Sequence, residues 1–226
     1  MENVVVETAK SIIFIVSALF PIVNPLGGSP IFLSLTSKYS TSARRSLSLR
    51  IAMNSFFLLV GSYLIGTHVL AFFGISLPVV QVGGGLIVIS TGWTMLKRPD
   101  DGEDERGEIH RNVQPQDIFH NAFYPLTLPL TVGPGSITIA ITLGANTPVH
   151  YGIHHMVFLA AIVGSLVIAV SIFLCYGFAD RLGKILGATG MGVIMRLCMF
   201  LVICIGVQIL WNGASQLLAS VPLHVR

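Results

Sequence analysis

Apolar residues run through this chain in long blocks. They show neither the alternation of a half-buried strand nor the one-sided stripe of a soluble surface helix. Crossing a bilayer takes ~20 residues of helix. Six blocks reach that length, at about 10–37, 46–67, 77–96, 119–146, 155–178 and 197–219. The longest polar interruption, Lys97 to Asp117, holds seven of the ten acidic residues. The pattern predicts an all-α polytopic membrane protein, with a single membrane domain over 1–226. Two halves, about 8–97 and 118–220, flank a polar loop at about 98–117.

Two of the blocks contradict themselves. The first contains Pro21-Ile22-Val23-Asn24-Pro25-Leu26-Gly27-Gly28-Ser29-Pro30. An interior proline costs a helix roughly 3 kcal/mol and an interior glycine about 1. A straight helix through this stretch would lose on the order of 10 kcal/mol, so the spacing predicts a break near mid-membrane. The fourth block repeats the pattern 104 residues later, with Pro125, Pro129 and Pro134 at the spacing of Pro21, Pro25 and Pro30. Thr131-Val132-Gly133 falls in register with Gly27-Gly28-Ser29, and Gly135 and Ser136 follow Pro134. Ordinary proline kinks would account for either block alone; the shared spacing points to an internal repeat. Ser29 before Pro30 reads as an N-cap followed by proline at the first helical position, and Gly133 before Pro134 as a weaker version.

Charge supplies the topology. Charged residues make up 10% of the chain, against about 25% in soluble domains. The net charge of +3 is carried by short loops, which reads as membrane orientation and not as a nucleic-acid face. Lys38, Arg44, Arg45 and Arg50 follow the first block. Lys97, Arg98, Arg106 and Arg111 follow the third, and Arg181, Lys184 and Arg196 the fifth. The loops after the second and fourth blocks have no Lys or Arg. The positive-inside rule makes the three basic loops cytoplasmic and both termini extracytoplasmic. Three crossings separate the two broken spans, so the predicted fold is two inverted three-helix repeats with spans 1 and 4 broken. The start, Met1-Glu2-Asn3, lacks the basic opening of a signal peptide, so the first span is expected to be retained.

Irregular backbone at membrane depth survives only against protein or a wet cavity. The candidate substrate site is therefore Asn24, Pro25, Gly27, Gly28, Ser29 and Pro30 facing Thr127, Pro129, Thr131, Gly133, Pro134, Gly135 and Ser136. Half-helix N-termini would present unpaired N–H groups to an anionic group. Carbonyls left without a donor by the prolines would face an ammonium group or a sodium ion. No Asp or Glu stands in the middle of a span. Neutral groups and helix ends suit a zwitterion, and a small neutral amino acid is the first expectation. His150, His154 and His155 give an i, i+4 pair without a third ligand, so no metal is expected. Gly133-Pro134-Gly135-Ser136 lacks a nucleophile elbow and a placed base, so no enzyme is expected. Cys175, Cys198 and Cys204 lie in apolar spans and suggest neither disulfides nor a zinc site. No cofactor is implied.

Pro21 through Gly27, Phe73-Gly74-Ile75-Ser76 leading to Gly83-Gly84-Gly85-Leu86, Pro125 through Gly135, and Gly206-Val207-Gln208 with Asn212-Gly213 together resemble the MarC family of bacterial integral membrane proteins, described with small neutral amino-acid transporters of the SnatA type. The resemblance runs over nearly the whole chain. It implies six spans, a plasma (inner) membrane location and, for the family's transport members, substrates such as glycine and alanine. Leu128 stands where the first motif has Asn24, so the two halves of the site differ chemically. The expected activity is a secondary transporter or exporter working by alternating access, with H+ or Na+ as coupling ion. The alternatives are a channel for small neutral solutes and a non-transporting membrane partner. A homo-oligomer is compatible with the sequence.

Overall fold

A computed structural model describes residues 2–36, 39–97, 122–146 and 154–220, which are helical apart from short turns. No strand occurs among the described residues. The acidic stretch, Lys38 and His150 lie outside them. The first apolar block forms α1 (Glu2–Val23) and α2 (Pro25–Leu35). The second and third form α3 (Thr41–Phe72) and α4 (Leu77–Leu96). The fourth divides into a π-helical segment, Ala122–Thr131, and α5 (Pro134–Ala145). The fifth is α6 (His154–Gly177), and the sixth lies within α7 (Ala179–Ala219).

Five stretches among the described residues are long and apolar enough to cross a membrane: Val6–Leu33, Thr41–Phe72, Leu77–Leu96, Phe158–Gly177 and Arg196–Ala219. Pro134–Ala145 is a shorter apolar helix. The fourth block is thus not one regular span. A proline pushes the residue before it out of the helical region. Tyr124 (φ −124°, ψ 126°) and Leu128 (φ −109°, ψ 125°) are accordingly extended. The sixth element is longer than its apolar block. It continues back to Ala179 through a single kink at Gly187, where φ is 63°. Arg181 and Lys184 therefore sit on a helix and not in a loop.

The core is one apolar cluster built mainly from α1, α3, α5 and α6, joined by Phe32 of α2, Ala122 and Leu126 of the π-helical segment, Val132, and Ile209 of α7. Ile15, Leu19 and Val23 of α1 and Leu47, Ile51, Leu59 and Tyr63 of α3 recur at three- and four-residue spacing, as one face of a helix must. Ala161, Ile168, Ile172 and Tyr176 do the same on α6. Outward faces carry Phe57, Leu166 and Phe200, each about half exposed or more, as a lipid-facing surface would. α4 and α7 run antiparallel along a glycine seam. A Cβ on Gly85 would lie 2.7 Å from the Leu210 backbone nitrogen, and one on Gly213 2.6 Å from the Pro78 carbonyl oxygen. Backbones this close admit no side chain between them. Gly84 packs on Thr138, whereas Gly61 and Gly83 face open space.

One buried cation ties three elements at one end of the bundle. Arg44 stands in the first turn of α3, where the helix dipole disfavours positive charge. Its Nη1 pairs with Asp180 in the first turn of α7. Its Nη2 donates to the carbonyls of Thr36 (3.1 Å) and Tyr39 (3.2 Å), which follow α2. Arg44 thereby closes the end of α2 and holds α3 and α7 on the same face. Replacing it strands those carbonyls and Asp180 together. Arg44→Ala is expected to destabilise the fold by about 2–3 kcal/mol and Asp180→Asn by about 1, because Asn still offers an acceptor. Thermal melts in detergent check the order; equal effects would mean that the carbonyl bonds contribute nothing.

Candidate functional site

The first break is a single residue. Asn24 has φ 46°, alone among described non-glycine residues in having positive φ. Asparagine tolerates this region better than most residues because its short polar side chain bonds locally. Its N–H still donates to Phe20 (2.9 Å), ending α1, and its carbonyl accepts from Gly28 (2.9 Å), beginning α2. The side-chain Oδ1 accepts from the Gly27 N–H at 3.1 Å and caps α2. Gly27 is needed for this fold-back: a Cβ there would lie 2.2 Å from Asn24 Nδ2.

Helix α2 thus restarts at Pro25, five residues before the start expected from Ser29-Pro30. Ser29 is not an N-cap. It is buried inside α2, where its hydroxyl donates to the Leu26 carbonyl at 2.8 Å. Pro30 cannot bond that carbonyl, so the serine supplies the missing donor and the helix runs on through the proline.

The second break spreads over ten residues. Val132 N–H donates five residues back, to Thr127 (2.9 Å). The Thr127 hydroxyl donates to Ala122 (2.6 Å) and the Thr131 hydroxyl to Leu126 (2.7 Å). Two threonines therefore hold a widened turn whose prolines lack donors. Helix α5 then starts at Pro134 after Gly133, which is extended (φ −84°, ψ 179°) and has no side-chain cap. The N–H groups of Gly135 and Ser136 have no carbonyl one turn back within the helix. The two restarts differ in this respect: a side chain closes α2, and none closes α5.

A cavity of about 350 Å³ brings the two breaks together. Asn24, Gly27 and Gly28 line one wall, and Thr131, Gly133, Pro134, Gly135 and Ser136 another. Ile87, Val88, Thr91 and Met95 of α4 and Met199 and Val202 of α7 complete it. Pro25, Ser29, Pro30 and Thr127, also expected at the site, do not line this cavity and belong to the breaks themselves. Pro129 follows the extended Leu128 within the π-helical segment. Sequence reasoning missed Tyr176 of α6. Its ring stacks on Phe32 (centroids 4.7 Å apart), and its hydroxyl lies 3.1 Å from Thr131 Oγ1. Because the Thr131 proton is committed to Leu126, Tyr176 is the donor of that bond. The same hydroxyl fills the space beside Gly28, 2.4 Å from where a Cβ would stand. Tyr176 therefore joins α2 to the second break. Only its being a tyrosine inside an apolar span could have signalled this. Asn54, noted in the second block, reaches Thr127 through Nδ2 at 3.4 Å.

Asn24→Ala is expected to destabilise the protein by about 1–2 kcal/mol, through the lost cap and the strained φ, and Asn24→Gly by a few tenths. Gly27→Ala should be damaging alone and nearly silent in the Asn24→Gly background, where the colliding amide is gone. A double-mutant cycle on melting midpoints reads this; additive effects would mean that the Asn24 side chain does not fold onto Gly27.

The family model described as "MarC family integral membrane protein" matches residues 9–218. Inner membrane protein MarC of Citrobacter koseri is 31% identical over 208 residues, covering 89% of this chain and 93% of that protein. The protein of the same name in Salmonella typhimurium is 30% identical over 206 residues with the same coverage. Membrane protein YvbG of Bacillus subtilis is 28% identical over 204 residues, again with that coverage. No solved structure matches the chain. A family match over residues 9–218, which takes in both proline-broken blocks, shows that this chain belongs to the MarC family of integral membrane proteins.

Proposed function

We propose that this protein is a secondary transporter or exporter of a small neutral solute, a small neutral amino acid being the first candidate. The observation that carries the reading is that both breaks line one and the same cavity. The uncapped start of α5 offers N–H groups and a partial positive charge to a carboxylate. Pro134 leaves the Leu130 carbonyl without its helical donor, and Leu130 also lines the cavity, so an ammonium group has an acceptor nearby. The remaining walls are mostly aliphatic and suit a neutral side chain.

In this reading the fold has six crossings arranged as two inverted repeats. The π-helical segment and α5 together make the fourth crossing, and the antiparallel α4 and α7 are the third members of the two repeats. The cavity follows α2 from Asn24 to Leu35, ~16 Å of helix and about half the ~30 Å hydrocarbon thickness. Along α4 and α7 it runs to Met95 and Met199, toward the end that carries Arg44, Lys97 and Asp180. With basic loops inside, that end is cytoplasmic, both termini are extracytoplasmic, and the conformation is inward-facing. Transport would then proceed by closing this vestibule and opening its counterpart, driven by a proton or sodium gradient. The names of the Citrobacter and Salmonella relatives place those proteins in the inner membrane, and the same location is proposed here.

Proteoliposomes loaded with an imposed proton or sodium gradient test the reading. Saturable uptake of labelled alanine or glycine is expected, with a loss of at least tenfold in Asn24→Ala and little loss in Asn24→Gly. Linear, unsaturable flux would favour a channel. Absence of flux from folded protein under every gradient would leave a non-transporting membrane partner. The inward-facing geometry has its own check: a cysteine at Thr91 should react with an impermeant thiol reagent from the cytoplasmic side only.

A further inference from the structure

The outward face of α7 carries polarity where a lipid-facing surface should have none. Val202, Gly206, Ile209 and Gly213 are buried. At about 100° per residue, the opposite face runs Leu197, Leu201, Cys204, Gln208, Trp211 and Ser215. Gln208 and its neighbour Asn212 are both exposed. The membrane-crossing part of α7 is Arg196–Ala219, so Gln208 stands at its middle, the deepest level of the hydrocarbon. Several exposed hydroxyls on the spans satisfy themselves within one turn. Ser17 donates to Ile13 (2.7 Å) and Thr94 to Ser90 (2.8 Å), each within its own helix. A carboxamide has two donors and a two-lone-pair acceptor and cannot be closed that way. Gln208 Nε2 donates to Asn212 Oδ1 at 2.9 Å. That bond leaves the Gln208 oxygen and the Asn212 amide protons turned toward lipid.

We infer that this face of α7 is a self-association surface, and that its occupant is the same face of a second copy. Two copies inserted in one orientation are related by an axis along the membrane normal, so each residue meets its counterpart at the same depth. Carboxamides serve such a meeting because they donate and accept at once. Only a second copy is bound to present matching amides at mid-membrane. The Gln208–Asn212 pair of one protomer then bonds that of its partner, which removes polar groups from hydrocarbon and sets the register of the two helices. Cys204, one turn from Gln208 on the same stripe, falls beside its counterpart. The inference needs α7 to cross the membrane and does not depend on what the cavity transports.

Two measurements on the full chain in liposomes test it. With Cys175 and Cys198 changed to Ala, oxidation should link Cys204 into a disulfide dimer. A control with Cys204→Ala and a cysteine at Phe57, equally lipid-facing but on α3, should form no disulfide-linked dimer. Energy transfer between labelled protomers, followed on dilution into lipid, should give a dissociation constant that rises about 3- to 20-fold in Gln208→Leu/Asn212→Leu. These leucines face outward in the single protomer, so its melting point should hold. A protein monomeric at every dilution, an unchanged dissociation constant in the double variant, or equal crosslinking at Phe57 would each overturn the proposal.

Discussion

Everything distinctive in this fold follows from the need to pair backbone polar groups where no water is available. In hydrocarbon an unpaired N–H or C=O costs several kcal/mol, so a helix is the default and proline the exception that must be compensated. The chain places three prolines in each of two apolar blocks and then repairs the damage with neighbouring side chains. Ser29 supplies the donor that Pro30 lacks, Thr127 and Thr131 close the widened turn, and Asn24 caps the helix it interrupts. These are short, neutral side chains that bond within a few residues of themselves. Charged groups would have demanded desolvation that the local bonds could not return.

The two breaks share a proline pattern and differ in outcome. Asn24 compresses the first break into one residue, because it can take a positive φ and turn its amide back on Gly27. Leu128, in the same register, has neither ability. It goes extended, and the second break spreads out until Pro134 restarts a helix. The consequence is an asymmetric cavity. Its first wall is closed by its own amide, and its second exposes an uncapped helix start. Tyr176 holds the walls together from behind, stacked on Phe32 and bonded to Thr131.

Away from the cavity, close contact replaces hydrophobic drive. Lipid is as apolar as leucine, so helices gain by approaching and not by hiding. The α4–α7 seam, with backbone against backbone at Gly85 and Gly213, does this on one side of the cavity. Arg44 does it at one end by a different means, gathering the carbonyls after α2 and the carboxylate of α7 around one buried guanidinium. The walls of the cavity thus hang between a rigid seam and an electrostatic clasp.

Much of this was legible in the chain itself. The apolar blocks fixed membrane residence and the helix boundaries of α4 and α6 almost to the residue, because length and hydropathy alone decide what can lie in a bilayer. The prolines marked both breaks, since the missing N–H is a property of the residue and not of its surroundings. Other features depended on which groups happen to be neighbours. Whether α2 starts at Pro25 or Pro30 turned on Asn24 reaching Gly27 while Ser29 rescued Leu26. Tyr176, Thr91 and Met199 joined the site only because α4, α6 and α7 pack beside the breaks. Local chemistry can be read along a sequence, but hydrogen-bond partners and cavity walls come from segments far apart in the chain, and only tertiary packing selects them.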